Sequence, residues 1–161
     1  MAVAEDLDRA IDSQWGWVAE QTRTYMASGG TEGHENNGVH MLVLATTGRK
    51  TGRPRRNVLI YGRSGDDLVV VASNAGLDDN PAWFKNLLTD PSVGVQAGTH
   101  RFTAHARVAS PSERATLWPQ MVKIFPLYDE YTQKTDRTIP IVLLTPEAGQ
   151  IQDIFRNAAT S

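Results

Sequence analysis

The sequence predicts an α+β domain built on a barrel-like, mainly antiparallel sheet. Three observations carry this. About six short β-branched or apolar runs recur between residues 39 and 146. Most of them are joined by connections too short for the helical crossover that parallel strands require. Helical periodicity is confined to the start of the chain and to a few peripheral segments. With 161 residues and 40% hydrophobic content, a single domain over 1–161 is expected. It divides into an N-terminal helix within 1–30, a barrel core over 39–146 and a tail over 147–161.

From Asp6 to about Ser28, Leu7, Ile11, Trp15, Val18, Tyr25 and Met26 recur at helical spacing and Gly29–Gly30 supply a stop, so one amphipathic helix is expected. TEGHENNG (31–38) reads as a loop and VHMLVLAT (39–46) as the first strand. The basic stretch GRKTGRPRR (48–56) follows directly. NVLIYGR (57–63) and LVVVAS (68–73) are strands joined by a tight SGDD turn. After the polar loop NAGLDDN, PAWFKNLL (81–88) is a short helix with Pro81 in its first turn and Asn80 or Asp79 as its cap.

SVGVQA (92–97) and HRFTAHARVA (100–109) are the next strands. In the second, Phe102, Ala104, Ala106 and Val108 form a dry face opposite Arg101, Thr103, His105 and Arg107. In SPSE, the Ser110 cap, Pro111 and Glu113 open a helix through RATLWPQMVKIF, which Pro119 should kink or split. LYDEYTQK reads as a short helix and IPIVLLT (139–145) as the last clear strand, and residues 147–161 add a weak strand or a docked tail.

Net charge is −2, so the cluster of Arg49, Lys50, Arg53, Arg55 and Arg56 is a local feature and fits a small anionic ligand better than long nucleic acid. Glycines at both ends of the turn let backbone N–H groups and cationic side chains converge on phosphate or carboxylate. Gly52-Arg53-Pro54 matches the core of a minor-groove hook. It is pinned between two apolar strands, however, and is preceded by Thr51 where the hook has arginine, so DNA binding is disfavoured. The glycines lack dinucleotide-fingerprint or P-loop spacing. The histidines His34, His40, His100 and His105 have no paired-ligand spacing, no cysteine is present and no GxSxG elbow occurs, so neither a metal nor a hydrolase is expected. The chain has no run long enough to span a membrane and an acidic start, from which a cytoplasmic protein is expected.

LATTGRKTGRPRRNVLIYG, VVVASNAGLDDNPAWFKNLLTDPSVGVQ and LWPQMVKIFPLYDEYTQKTDRTIPIVLL together resemble the deazaflavin-dependent nitroreductase family, actinobacterial oxidoreductases that use coenzyme F420. The resemblance runs from about Met41 to Pro146. It implies a split β-barrel related to FMN-binding folds and a reduced deazaflavin as hydride donor. Carried onto this chain, it places the coenzyme's phosphate and oligoglutamate tail on Arg49, Lys50 and Thr51. Arg55, Arg56, Asn57, Val58, Leu59 and Ile60 would lie along the ring. Val71, Ala72, Ser73 and Asn74 would meet the ring edge, and Ala82, Trp83, Phe84, Lys85 and Asn86 would form the helix beside it. Trp83 equally suits a core anchor, and Asn86 a helix-to-loop hydrogen bond.

The same resemblance puts the substrate pocket at Phe125, Tyr128 and Tyr131, with Tyr128 as the catalytic hydroxyl that orients and helps to protonate the acceptor. The chain departs from the family at Val58 (usually proline), Asn80 (commonly histidine) and Phe125 (a tyrosine). The implied reaction is hydride transfer to a quinone, nitroaromatic or similar conjugated acceptor. An FMN enzyme on the same barrel and a non-catalytic deazaflavin carrier are the alternatives. Trp15, Trp17, Tyr25 and Met26 could pack on the barrel, cover the pocket or rest on a membrane surface, which leaves peripheral membrane association open. Related barrels often dimerise, so a homodimer is a further alternative.

Overall fold

The computed structural model describes residues 1–36 and 38–147; the expectation for the tail lies almost wholly outside them. The elements are a 3-10 turn Ala4–Asp8, α1 Gly16–Ala27, β1 Glu35–Asn36, β2 Val39–Thr47, β3 Pro54–Ile60, β4 Gly62–Ser64, β5 Asp67–Val71, α2 Ala82–Thr89, β6 Ser92–Ala97, β7 His100–Val108, α3 Pro111–Ile124, α4 Leu127–Thr132 and β8 Ile141–Pro146. All strand pairings are antiparallel. The order is β1-β2-β6-β7-β8-β5-β4, with β3 also paired to β2. Tyr61 alone separates β4, one end of that order, from β3, which pairs with β2 near the other end. A sheet whose ends are joined by one residue has to curl, and the expected antiparallel barrel results.

The near-continuous apolar run of β2 is explained by burial on both faces. Leu42 and Leu44 point into the barrel with Leu68, Val70, Val95, Phe102 and Leu144. Val43 and Ala45 point outward and are covered by Leu7, Val18 and Tyr25. A third cluster lies where Val69, Val71, Ile141 and Leu143 meet Leu117, Met121 and Tyr128 of α3 and α4. Each fully buried side chain of this kind contributes about 1.5–3 kcal/mol. Two further strands appear beyond the six expected. One is the short β1, and the other arises because NVLIYGR breaks at Tyr61 into β3 and β4.

The N-terminal region differs from the single helix expected over Asp6–Ser28. Residues 9–15 leave the helix, and Ile11 docks as an isolated parallel bridge on β3. The Ile11 N–H donates to the Pro54 carbonyl (2.9 Å) and the Arg56 N–H to the Ile11 carbonyl (2.9 Å). Tertiary hydrogen bonds to a strand edge and the Asp12–Arg56 ion pair at 2.6 Å outweigh the helical periodicity there. Tyr25 anchors α1: its hydroxyl donates to the Met41 carbonyl (3.0 Å) and accepts from the Gly98 N–H (2.6 Å).

The Ser110–Glu113 capping box forms as expected. Pro119 does not split α3, which runs unbroken from Pro111 to Ile124. Pro119 and Ala115 are both exposed, so the carbonyl that loses its partner faces solvent. The cap of α2 is Pro81 itself, with no side-chain cap bond. Asn80 is drawn away because its Oδ1 accepts from Arg137 Nη1 at 2.9 Å, and Asp79 pairs with Lys85 at 2.6 Å. On β7 the alternation holds for Phe102, Ala104 and Ala106. Val108 is exposed, however, and Thr103 is buried beneath the N-terminal turn, its Oγ1 accepting from the Ala4 N–H at 3.0 Å.

Candidate active site

A cleft of about 620 Å³ opens along β3, between the basic turn after β2 and the helix α4. The turn is built by its glycines. The Gly48 N–H donates to the Arg53 carbonyl and the Gly52 N–H to the Gly48 carbonyl, both at 2.8 Å, and Gly52 takes φ +72°. A side chain at Gly48 would meet the Arg53 carbonyl oxygen at 2.9 Å, so the turn cannot close around a larger residue.

Asn86 of α2, almost fully buried, ties the turn down. Its Oδ1 accepts from the Arg49 backbone N–H and from Arg49 Nη1, both at 3.1 Å, while its Nδ2 donates to Thr46 Oγ1 at 3.2 Å. Arg49, Lys50, Thr51 and Arg55 line the cleft. Among the described residues no carboxylate pairs with Arg49, Lys50, Arg53 or Arg55.

β3 forms one wall. Because Pro54 and Arg56 turn their backbone groups to the edge that Ile11 covers, alternation turns those of Val58 and Ile60 to the same edge further on. The cleft lies there, and Asn57, Val58, Leu59 and Ile60 all border it. Val58 thus offers a backbone N–H that a proline would lack. Val71, Asn74, Ala82, Trp83 and Asn86 also border the cleft, Trp83 doubling as a core anchor at 6% exposure.

Opposite stands an aromatic wall. Phe125, Tyr128 and Tyr131 all face the cleft, with the rings of Phe125 and Tyr128 edge-on at 5.0 Å and those of Tyr128 and Tyr131 at 6.4 Å. The i, i+3 spacing of the tyrosines puts them on one side of α4. Tyr128 is 4% exposed, yet its hydroxyl has no hydrogen-bond partner among the described residues. Burial, helped by neighbouring Tyr131, pushes its pKa well above the usual tyrosine value.

Five of the expected site residues do not border the cleft. Arg56 is turned to the opposite side, its Nε on Asp12 at 2.6 Å and its Nη1 on the Leu7 carbonyl at 3.0 Å. Ala72 and Phe84 are in the barrel core. Ser73 gives its carbonyl to Arg137 Nη2 at 2.7 Å, and Lys85 is engaged by Asp79.

The N-terminal segment contributes residues that the motifs did not single out. Ser13, Gln14, Val18 and Gln21 border the cleft, as do Met41, Ala75 and Pro81. Nothing in the sequence marks Ser13 or Gln14. Of the four residues left open between packing, covering the pocket and membrane contact, Tyr25 and Met26 pack on the barrel, whereas Trp15 and Trp17 stand at the cleft with rings 6.1 Å apart. Among the described residues no cluster of histidines and acids could hold a metal ion, and no helix is long and apolar enough to cross a membrane.

Residues 17–146 match the family of the F420H(2)-dependent quinone reductase. The chain is 38% identical over 126 residues to the F420H(2)-dependent quinone reductase Rv1261c of Mycobacterium tuberculosis, covering 75% of this chain and 84% of that one. It is 37% identical over 108 residues to Rv3178 of the same organism, covering 67% and 91%. Among solved structures, an F420-H2 dependent reductase, FDR-A, superposes with a TM-score of 0.60 at 33% identity over 65% of this chain and 92% of that one. A relative solved as a domain-swapped dimer gives a TM-score of 0.63 at 32% identity over 82% and 99%.

Proposed function

The chain belongs to the F420H(2)-dependent quinone reductase family, and on that premise we propose that the cleft holds reduced coenzyme F420 beside a quinone-type acceptor. In this reading the turn 48–55 grips the anionic tail of the coenzyme and Tyr128 serves the acceptor. The observation that carries it is a group of cations that meet no carboxylate among the described residues, at one end of a cleft whose other end is walled by tyrosines.

The residues present fit the coenzyme. A phosphodiester and several carboxylates need fixed donors, and Arg49, Lys50 and Arg55 supply them with no carboxylate among the described residues competing. A planar ring needs flat apolar walls and an edge donor, which Leu59, Trp83 and the Val58 N–H provide. When bound, the reduced deazaflavin supplies a hydride to the acceptor.

The chain's own part is binding, alignment and charge. Asn86 holds Arg49 in place before any ligand arrives, which lowers the cost of ordering that side chain. Trp15 and Trp17 narrow the mouth of the cleft against water. Tyr128 is neutral throughout the working pH range, and burial disfavours leaving a tyrosinate behind. It therefore donates a hydrogen bond to the acceptor oxygen on which negative charge develops, and, in place of the expected proton transfer from Tyr128 itself, the proton that completes the reduction would come from solvent. A nitroaromatic presents the same flat ring and terminal oxygens to this wall, and is the second acceptor class to assay. The domain-swapped relative supports a homodimer, which light scattering of the purified protein would read.

Tyr128→Phe tests the assignment. Turnover with a quinone should fall about tenfold or more while the coenzyme dissociation constant stays unchanged, because the lost interaction exists only as charge develops. Unchanged turnover would remove Tyr128 from the reaction. Titration of the wild type with oxidised coenzyme F420, with FMN in a parallel cuvette, decides the cofactor reading as a whole.

A further inference from the structure

The segment after β5 carries a conformation that the sequence does not favour. Asn74, Ala75 and Gly76 are consecutive residues with φ of 47°, 55° and 78°. Glycine adopts this left-handed region freely and asparagine tolerates it, but alanine does not. Asn74 and Ala75 border the cleft, so the strain sits at the site. Something outside the cleft has to hold it.

That role falls to Arg137, in the link between α4 and β8. Its Nη1 and Nη2 donate to the carbonyls of Ala72 (3.3 Å) and Ser73 (2.7 Å) on the near side of the turn. Its Nε and Nη1 donate to the Leu77 carbonyl (2.8 Å) and to Asn80 Oδ1 (2.9 Å) on the far side. One planar guanidinium thus spans both arms of the turn, which the compact ammonium of a lysine could not do. Burial lowers the Arg137 pKa only against a very high starting value, and Asp79 and Asp78 oppose the shift, so the cation persists. The turn also rests on α4: a side chain at Gly76 would meet the Tyr131 carbonyl oxygen at 3.0 Å and its Cα at 3.1 Å.

We propose that Arg137, which does not border the cleft, is a positioning residue that holds the 73–76 turn in its left-handed form, placing Asn74 and Ala75 at the cleft wall and against the tyrosine helix. The consequence for ligand rests on the coenzyme reading above, whereas the consequence for the turn does not. The two can therefore fail separately.

The test compares Arg137→Gln, Arg137→Lys and Asn80→Ala with the wild type by hydrogen exchange of the ligand-free protein and by coenzyme F420 titration. The Gly76 and Leu77 amides, bonded to the Ser73 and Asn74 carbonyls, should exchange about tenfold faster in Arg137→Gln, and coenzyme affinity should fall about tenfold. Arg137→Lys should recover part of the loss and Asn80→Ala should show a smaller effect of the same sign. Adding Ala75→Gly to Arg137→Gln should restore much of the affinity, since glycine holds the turn without strain. A lowered melting temperature with exchange at 76–77 and affinity both unchanged would overturn the proposal and leave Arg137 a purely structural residue. If Arg137→Gln does not fold, Arg137→Lys and Asn80→Ala decide by the same two readouts. If the wild type binds no coenzyme, the coenzyme reading falls, and exchange at 76–77 alone decides the role of Arg137.

Discussion

The basic turn after β2 and the N-terminal arm before α1 use the same kinds of charged residue to opposite ends. In the arm every aspartate is matched: Asp6 to Arg9, Asp8 to both terminal nitrogens of Arg101 at 2.7 and 2.9 Å, and Asp12 to Arg56 at 2.6 Å. In the turn, Arg49, Lys50, Arg53 and Arg55 meet no carboxylate among the described residues. Paired charges fasten one segment to another, whereas unpaired charges gathered at a cleft are available to a ligand. Arg55 and Arg56 show the division at adjacent positions, because strand alternation sends one to the cleft and the other to the arm.

The comparison breaks first at the turn. Replacing Arg49 and Lys50 together by alanine should weaken coenzyme F420 binding by roughly a hundredfold, from the loss of charge-assisted contacts of about 1.5–3 kcal/mol each in part compensated by neighbours. The salt dependence of binding should flatten at the same time. Fluorescence titration at two ionic strengths reads both, and equal affinities in mutant and wild type would take the turn out of the site.

A sharper cut uses the neighbouring arginines. Arg56→Gln should destabilise the fold by about 1–3 kcal/mol, because it leaves the Leu7 carbonyl without its donor and Asp12 with only the more distant Arg23 at 3.6 Å, with little change in coenzyme affinity. Arg55→Gln should do the reverse, lowering affinity several-fold at constant stability. Paired thermal melts and titrations check the crossover, and parallel behaviour of the two variants would erase the distinction between arm and turn.

The smallest effect is on pH. The hydrogen bond from Arg101 holds the Asp8 carboxyl below its ordinary 3.8, and for Asp6 the Val3 N–H and Arg9 overcome the opposing effect of burial. A depressed carboxylate stabilises the folded state above its ordinary pKa and loses that contribution as pH falls through the lowered one. The arm should therefore loosen as pH drops below about 4, ahead of the barrel. Faster exchange of the Ile11 amide and a change in tryptophan fluorescence would report it. An arm that loosens only with global unfolding would contradict it.

Much of this was legible in the sequence because it rests on local rules. Strand runs, the SGDD turn, the Ser110–Glu113 cap and the basic turn each have signatures a few residues long, and each appears where expected. The resemblance brought Arg49, Lys50, Arg55, Trp83, Tyr128 and Tyr131 to one cleft. What was not legible depends on partners distant in the chain. The helical spacing of Leu7, Ile11 and Trp15 is real, but Ile11 finds a strand edge at Pro54 and Arg56 instead. Asn80 has the chemistry of a helix cap, and Arg137 claims it from 57 residues away. Arg56 and Lys85 carry the charge a ligand site wants, and Asp12 and Asp79 had already taken it.

The single-residue joint at Tyr61 bears on how the domain assembles. β4, at one end of the pairing order, and β3, paired to β2 near the other, are neighbours along the chain, so closing the barrel adds almost no loop entropy once the hairpins have formed. A circular permutant opened at Tyr61 would retain every strand pairing in principle, yet it would gain two loose ends where the native chain has none, and slow folding with aggregation is its expected fate.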